Sequence, residues 1–233
     1  VIGGKARTPM GGLLGESAGL TAPQLGGAAI RAAAAEAKLA PDAVDQVQMG
    51  NVLGAGQGQA PARQAALAAG LSLHTQATTL NKMCGSGLEA VVRGRQAIAL
   101  GEAEVIIAGG MESMTNAPFL LADLRRGSKY GHGRTLDHMA KDGLEDANEG
   151  KAMGVYADRR ATERQYTRQA QDAYALETLR RAQAATENGW FARETVTVAP
   201  PKSEAVSTDE LPRKARPDKI PSLKPAFTPD GTV

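Results

Sequence analysis

Cysteine occurs once in the 233 residues, at Cys84. A single thiol excludes an intramolecular disulfide framework and any zinc site built from clustered cysteines. A reducing, cytoplasmic setting is the corresponding expectation. Aromatic residues make up only 3%, so there is no stacking platform for nucleic-acid bases. No stretch approaches the ~18 consecutive apolar residues of a membrane span. The opening residues, with Lys5 and Arg7 among glycines, do not read as a signal peptide. Neither sign of charge dominates: 27 basic residues face 25 acidic ones, for a net +2, and no polyanionic partner is indicated. The one basic run, Arg125-Arg126-Gly127-Ser128-Lys129 with Arg134 beyond, reads as a solvated loop, with a phosphate contact at a pocket mouth as the alternative. What the chain has in quantity is Ala (43) and Gly (27). Its core is therefore expected to be built from small side chains that let backbones come close.

The first half alternates strand and helix signals. Thr21 or Ala22 caps a helix running to about Lys38, with Pro23 in its first turn and Leu25, Ala28, Ala29, Ala32 and Ala35 as its apolar face. Val47–Leu53 reads as a short strand, Pro61–Ala69 as a helix stopped by Gly70, and Thr78–Lys82 as β-prone. A helix over Ser86–Leu100 ends at Gly101, and Val105–Ala108 reads as a strand buried on both faces. This alternation predicts an α/β layered domain over residues 1–116. From Ala117-Pro118 onward the character changes. Residues 122–166 are charged and lack long strand signals. A helix follows over Arg168–Glu187, capped by Thr167, with Ala175, Leu176, Leu179 and Ala182 as its stripe. Beyond Pro200 the Pro- and Lys-rich chain is expected to be extended or looped. Residues 117–233 thus form a second, loop-rich region. Asp230–Val233 reads as a turn entering a strand, and Val1 stands where Met would, so the expectation is a chain that continues.

The strongest chemical signal is Asn81-Lys82-Met83-Cys84-Gly85-Ser86-Gly87. A strand feeds a tight turn, and a helix begins at once. Free N–H groups and the helix dipole favour an anion there, so a thiolate in that place is stabilised. Gly85 and Gly87 leave room for a carbonyl to approach the backbone, whose N–H groups suit an oxyanion. Two readings compete. A lone cysteine is often a small buried hydrophobe. In addition, Gly85–Ala90 satisfies the dinucleotide pattern G-x-G-x-x-A, which would make the chain a nicotinamide-dependent oxidoreductase. That pattern wants an acid after the next strand, but Glu102 and Glu104 precede the strand and Glu112 follows two glycines and a methionine. His74, His132 and His138 read as exposed loop histidines, and no cluster has zinc spacing.

Several stretches then resemble one family. Arg7-Thr8-Pro9, Gly56–Ala65, Asn81–Gly87, Gly109–Pro118, Asp142–Ala147, Met153-Gly154, Gln171–Ala175 and Leu223–Phe227 look like thiolases, in order and essentially end to end. The resemblance implies the layered αβαβα fold of that family, of which one half and an inserted loop domain are present. It implies an acetyl-CoA acetyltransferase activity: Cys84 takes an acetyl group from acetyl-CoA, and the acetyl enzyme condenses with a second acetyl-CoA, or 3-ketoacyl-CoA is thiolysed in reverse. By the same resemblance Leu144, Met153, Arg213, Ala226 and Phe227 contact coenzyme A. Ala152 stands where relatives often carry His, a departure from the family pattern at one substrate contact. No metal or bound cofactor is implied. The partners implied are acyl-CoA substrates and further copies of the chain, as a dimer or tetramer, with Gly54–Ala66 at the contact. The Gly-His-Pro and Cys-x-Gly-Gly-Gly motifs that supply the family's activating His and second Cys do not occur in these residues. Neither does the family's Asn-Glu-Ala-Phe motif. A non-catalytic fragment that packs on a partner is therefore the alternative.

Overall fold

The computed structural model of the chain describes residues 1–127 and 129–233. Ser128 of the basic run lies outside the described residues. Arg125, Arg126, Lys129 and Arg134 are exposed.

Three parallel strands make the main sheet: β1 (Gln46–Gly50) in the middle, β2 (Gln76–Leu80) on one side and β3 (Ile106–Gly110) on the other. Gln46 stands opposite both Gln76 and Ile106, so the three strands end level at Gly50, Leu80 and Gly110. Side chains alternate across the sheet. Val47 and Met49 face α1 (Ala22–Glu36) and α2 (Pro61–Ala68), where they join Ile30, Ala62, Ala65, Ala66 and Met111 in the main core. The other face meets α3 (Ser86–Ala99), whose Gly94 lies against Ile106 and Ala108. Burying a side chain of the size of Ile30 or Val47 is worth roughly 1.5–3 kcal/mol.

α1 begins as its sequence predicts. Thr21 Oγ1 accepts from Gln24 N–H, and Gln24 Oε1 accepts from Thr21 N–H, a reciprocal cap. Its buried face differs from the expected one. Gly26, Gly27, Ile30 and Ala34 face inward, and Ala35 is exposed. Gly26 and Gly27 let the helix close on Met111, Ala65 and Ala68, a contact no larger side chain permits. Leu25 and Ala28 pack instead on a second cluster, Leu20, Val198 and Val206. β3 departs too. It is an edge of the sheet among the described residues, and Ile106–Gly109 are only half-buried. The strand signal at Val47–Leu53 stops at Gly50, because Asn51–Leu53 turn away to meet Glu112.

The remaining residues form β4 (Phe119–Leu120) and β5 (Leu136–Asp137), an antiparallel pair, then a π-helical turn over Ala140–Leu144 and the helices α4 (Met153–Glu163) and α5 (Arg168–Glu187). α5 matches its sequence signal end to end, Thr167 Oγ1 accepting from Ala170 N–H. Of its expected stripe, Ala175 is exposed, Leu176, Leu179 and Ala182 are half-buried, and Ala185 is buried. α4 had no clear sequence signal, for only Asp158 and Ala161 are buried in it. The segment after Pro200 is not wholly extended. It holds α6 (Glu210–Lys214) and a 3-10 segment at Pro217–Ser222. Among the described residues no helix is long and apolar enough to cross a membrane.

Arg7 ties the start of the chain to this second region. Its guanidinium donates to Glu194 at 2.9 Å and to both Asp209 oxygens at 2.7 and 3.0 Å, and lies 4.8 Å over the Phe191 ring. Glu210 does the same for residues 12–16. Its carboxylate is buried, accepts the N–H groups of Gly12 and Glu16, and pairs with Lys214 at 2.7 Å.

Candidate active site

The site is built where the strands end. Asn51 N–H donates to Leu80 O at 3.0 Å and Met111 N–H to Gly50 O at 2.9 Å, so the three strand exits are tied together. Glu112 completes the tie. Its carboxylate accepts Asn51 Nδ2 at 2.7 Å, Val52 N–H at 2.8 Å and Leu53 N–H at 3.1 Å. Glu112 is thus engaged by the protein backbone and is no ribose-binding acid. Gly50 then brings β1 against the start of α3. A Cβ there would stand 2.6 Å from Ser86 C and Cβ and 2.7 Å from Gly87 N.

Cys84 sits at the apex of the turn between β2 and α3, and it is exposed. The hydrophobe reading of the lone cysteine is thereby overturned, since its surroundings are open to solvent rather than apolar. Met83, just before it, has φ +50°, in the left-handed region. Gly85 N–H donates to Lys82 O and Ser86 N–H to Met83 O, closing the turn. Among the described residues the N–H groups of Gly87 and Leu88 donate to no protein acceptor, as expected of a first helical turn. Lys82 Nζ reaches Glu89 at 2.7 Å and Arg93 Nε reaches it at 3.1 Å. Lys82 and Arg93 hold the Glu89 carboxyl below its ordinary range. The missing side chain of Gly87 serves the packing of α3 on Gly110, 3.5 Å from where its Cβ would stand.

The second region docks beside this exit. His138 is buried, not exposed as its sequence context suggested. Its Nε2 accepts from Ala55 N–H at 3.3 Å, and its Nδ1 lies 2.6 Å from Asp142. This arrangement assigns the proton to Nδ1 and makes His138 a clasp between the two regions. His74 and His132 are exposed. Among the described residues no group of three or more His, Cys, Asp or Glu stands where it could hold a metal ion.

Of the other expected site residues, the structure brings four into one neighbourhood. Leu144 ends the π-helical turn, and an antiparallel bridge from Glu145 to Ala152 sets it beside Met153 at the start of α4. The Phe227 ring lies directly on Gly154, and Ala226 N–H donates to Val233 O at 2.9 Å. Leu144, Met153 and Phe227 each remain 41–47% exposed, an apolar face open to solvent. Asp158 holds it in shape: it accepts the Thr228 hydroxyl at 2.9 Å and the N–H groups of Thr232 and Val233 at 2.7 and 2.9 Å. Burial pushes the Asp158 carboxyl up, and these three donors outweigh it and hold it below its ordinary range. Arg213 joins a different set. It donates to both Glu16 oxygens at 2.6–2.7 Å, beside a cavity of about 340 Å³ lined by Gly15, Glu16, Ser203, Glu204 and Val206.

The family profile described as thiolase, N-terminal domain, matches residues 1–233. The chain belongs to the thiolase family. Among curated thiolase relatives, the cytosolic acetyl-CoA acetyltransferase ERG10 of Gibberella zeae is 46% identical over 233 residues, 98% of this chain and 59% of that protein. A probable acetyl-CoA acetyltransferase of Dictyostelium discoideum is 44% identical over 237 residues, 100% of this chain and 57% of that protein. The solved structure of the Acat5 thiolase from Ascaris suum in complex with coenzyme A superposes with a TM-score of 0.91 at 35% identity, covering 98% of this chain and 59% of that one. The fold is therefore the α/β fold of thiolases, and the chain spans less than two thirds of the length of each of these relatives. Sequence reasoning gave Asn51, Asn81 and Ser86 no role of their own and weighed Glu112 only as a dinucleotide acid, whereas the structure uses them to build the strand exits and the Cys84 turn. Only Asn81 carried a readable signal, as an Asx residue two positions before a strained one.

Proposed function

We propose that the chain supplies the nucleophile and part of the coenzyme A surface of an acetyl-CoA acetyltransferase. The observation that carries this is the exposed Cys84 thiol, held at a turn that opens a 14-residue helix. The Cys84 sulfur attacks the thioester carbonyl of acetyl-CoA. A bond from sulfur to the acetyl carbon forms, the bond from that carbon to the coenzyme A sulfur breaks, and the thiol proton passes to the departing coenzyme A. A second acetyl-CoA, deprotonated at its α-carbon, then attacks acetyl-Cys84. A carbon–carbon bond forms, acetoacetyl-CoA is released and the thiolate leaves. Run backwards, the same steps thiolyse a 3-ketoacyl-CoA.

In this reading residues 1–116 carry the chemistry and residues 117–233 cover the coenzyme A site. Leu144, Met153, Ala226 and Phe227 pack on the pantetheine or adenine, and Arg213, once released from Glu16, meets a phosphate. No metal or bound cofactor is called for. The family motifs that supply the groups activating Cys84 and deprotonating the second substrate do not occur in these residues. The 233 residues alone therefore accept an acetyl group slowly and do not complete the condensation. A cytosolic setting accords with the name of the fungal relative, and Gly54–Ala66 is the proposed contact with a second copy.

The test is incubation with acetyl-CoA followed by peptide mass spectrometry. An acetyl adduct on Cys84, lost in Cys84→Ser, is expected. An adduct on another residue, or none at all, overturns the reading.

A further inference from the structure

We infer that the Ser86 hydroxyl is a positioning group for the Cys84 thiol, acting as a latch on the turn that presents the sulfur. The inference rests on the reading of Cys84 as nucleophile. Ser86 is only 4% exposed although it opens a helix beside a solvent-facing turn. Its Oγ accepts Lys82 N–H at 2.8 Å and donates to Met83 O at 2.5 Å. One hydroxyl thus grips the two residues immediately before Cys84. Ser86 N–H donates to the same Met83 carbonyl at 3.0 Å, and Met83 N–H donates to Asn81 Oδ1 at 2.9 Å.

These bonds hold Met83 where an L-residue does not rest by itself. Its φ is +50°, a region in which Cβ crowds the following carbonyl oxygen. Its side chain is 47% exposed, so burial does little to hold it. If the latch opens, φ at Met83 relaxes toward the ordinary helical value, a swing of roughly 110°. The next residue is Cys84, so that swing re-aims its sulfur. Strain of this kind persists only where the surroundings over-determine it, and here the Ser86 side chain is the main restraint. Gly50 closes on Ser86 from β1, so the hydroxyl is backed by the sheet rather than by a mobile loop.

The experiment compares wild type, Ser86→Ala, Met83→Gly and the double variant. Glycine adopts positive φ without strain, so it keeps the turn when the latch is gone. Two probes of Cys84 are read, with circular dichroism as the check on folding: acetyl transfer from acetyl-CoA, and attack on an aromatic disulfide, which needs in-line approach. Ser86→Ala is expected to slow both, by about 100-fold if the sulfur moves ~1 Å. The double variant recovers most of the loss. A folded Ser86→Ala that reacts like wild type, or a double variant no faster than Ser86→Ala, overturns the inference. If Ser86→Ala does not fold, Asn81→Ala replaces it. It removes the other restraint on Met83 from an exposed position, and the same loss and the same rescue by Met83→Gly are required. Wild type that attacks the disulfide in this pattern but takes no acetyl group sinks the thioester reading and leaves the latch standing.

Discussion

Gly50→Ala is the sharpest test of how the site is built. The added Cβ would stand 2.6 Å from Ser86 C and Cβ and 2.7 Å from Gly87 N. These atoms belong to the backbone and Cβ at the start of α3, not to the end of a flexible side chain. They cannot step aside alone, so β1 and α3 must part by about 0.8 Å to restore an ordinary contact of 3.4 Å. Overpacking of this kind costs roughly 1–3 kcal/mol. At ~2 kcal/mol the melting temperature of a domain this size falls by about 4–8 °C. The displaced helix start carries the Cys84 turn with it, and a shift near 1 Å slows acetyl transfer by about 100-fold. Gly133→Ala is the control, since nothing lies within 4 Å of its Cβ position, and it should leave both readings within about 0.5 kcal/mol of wild type. Thermal melts by circular dichroism and single-turnover acetylation measure the two effects. A Gly50→Ala protein as stable and as reactive as Gly133→Ala would refute the claim that the strand exit sets the position of Cys84.

Two further predictions concern the buried carboxylates. Lys214, with the N–H groups of Gly12 and Glu16, holds Glu210 at about 2, down from 4.5. A carboxyl depressed on folding stabilises fully above its unfolded value, and that contribution drains away as pH falls from about 4.5 to about 2. Glu210→Gln should therefore lower stability at pH 7 by about 1–3 kcal/mol, since one amide oxygen cannot accept from the two N–H groups and Lys214 together. Melts across that acid range should show the gap between wild type and variant closing, and a gap independent of pH would contradict the assignment. Asp158→Asn deprives Thr232 and Val233 of a charged acceptor. Hydrogen exchange at 226–233 should accelerate and coenzyme A affinity fall, while disulfide attack by Cys84 stays unchanged. Protection equal to wild type at 226–233 would show that Asp158 does not hold the Phe227 face.

Much of the framework was legible in the chain itself. Thr21 with Gln24, Thr167 with Ala170 and the stops at Gly70 and Gly101 act over a few residues, so sequence alone set the ends of α1, α2, α3 and α5. It also placed the one thiol at the turn before α3. What lay beyond local reach needed the folded chain. The inward face of α1 follows from glycines meeting α2 and Met111 rather than from its alanine spacing. Glu112 acts on residues some 60 positions away, and Asp158 on a tail more than 70 away. Hydrogen bonds between distant segments leave no period in the sequence. Thus the place of the one thiol was written locally, and the geometry of the turn that presents it, with the apolar face opposite Gly154, was decided by tertiary contacts alone.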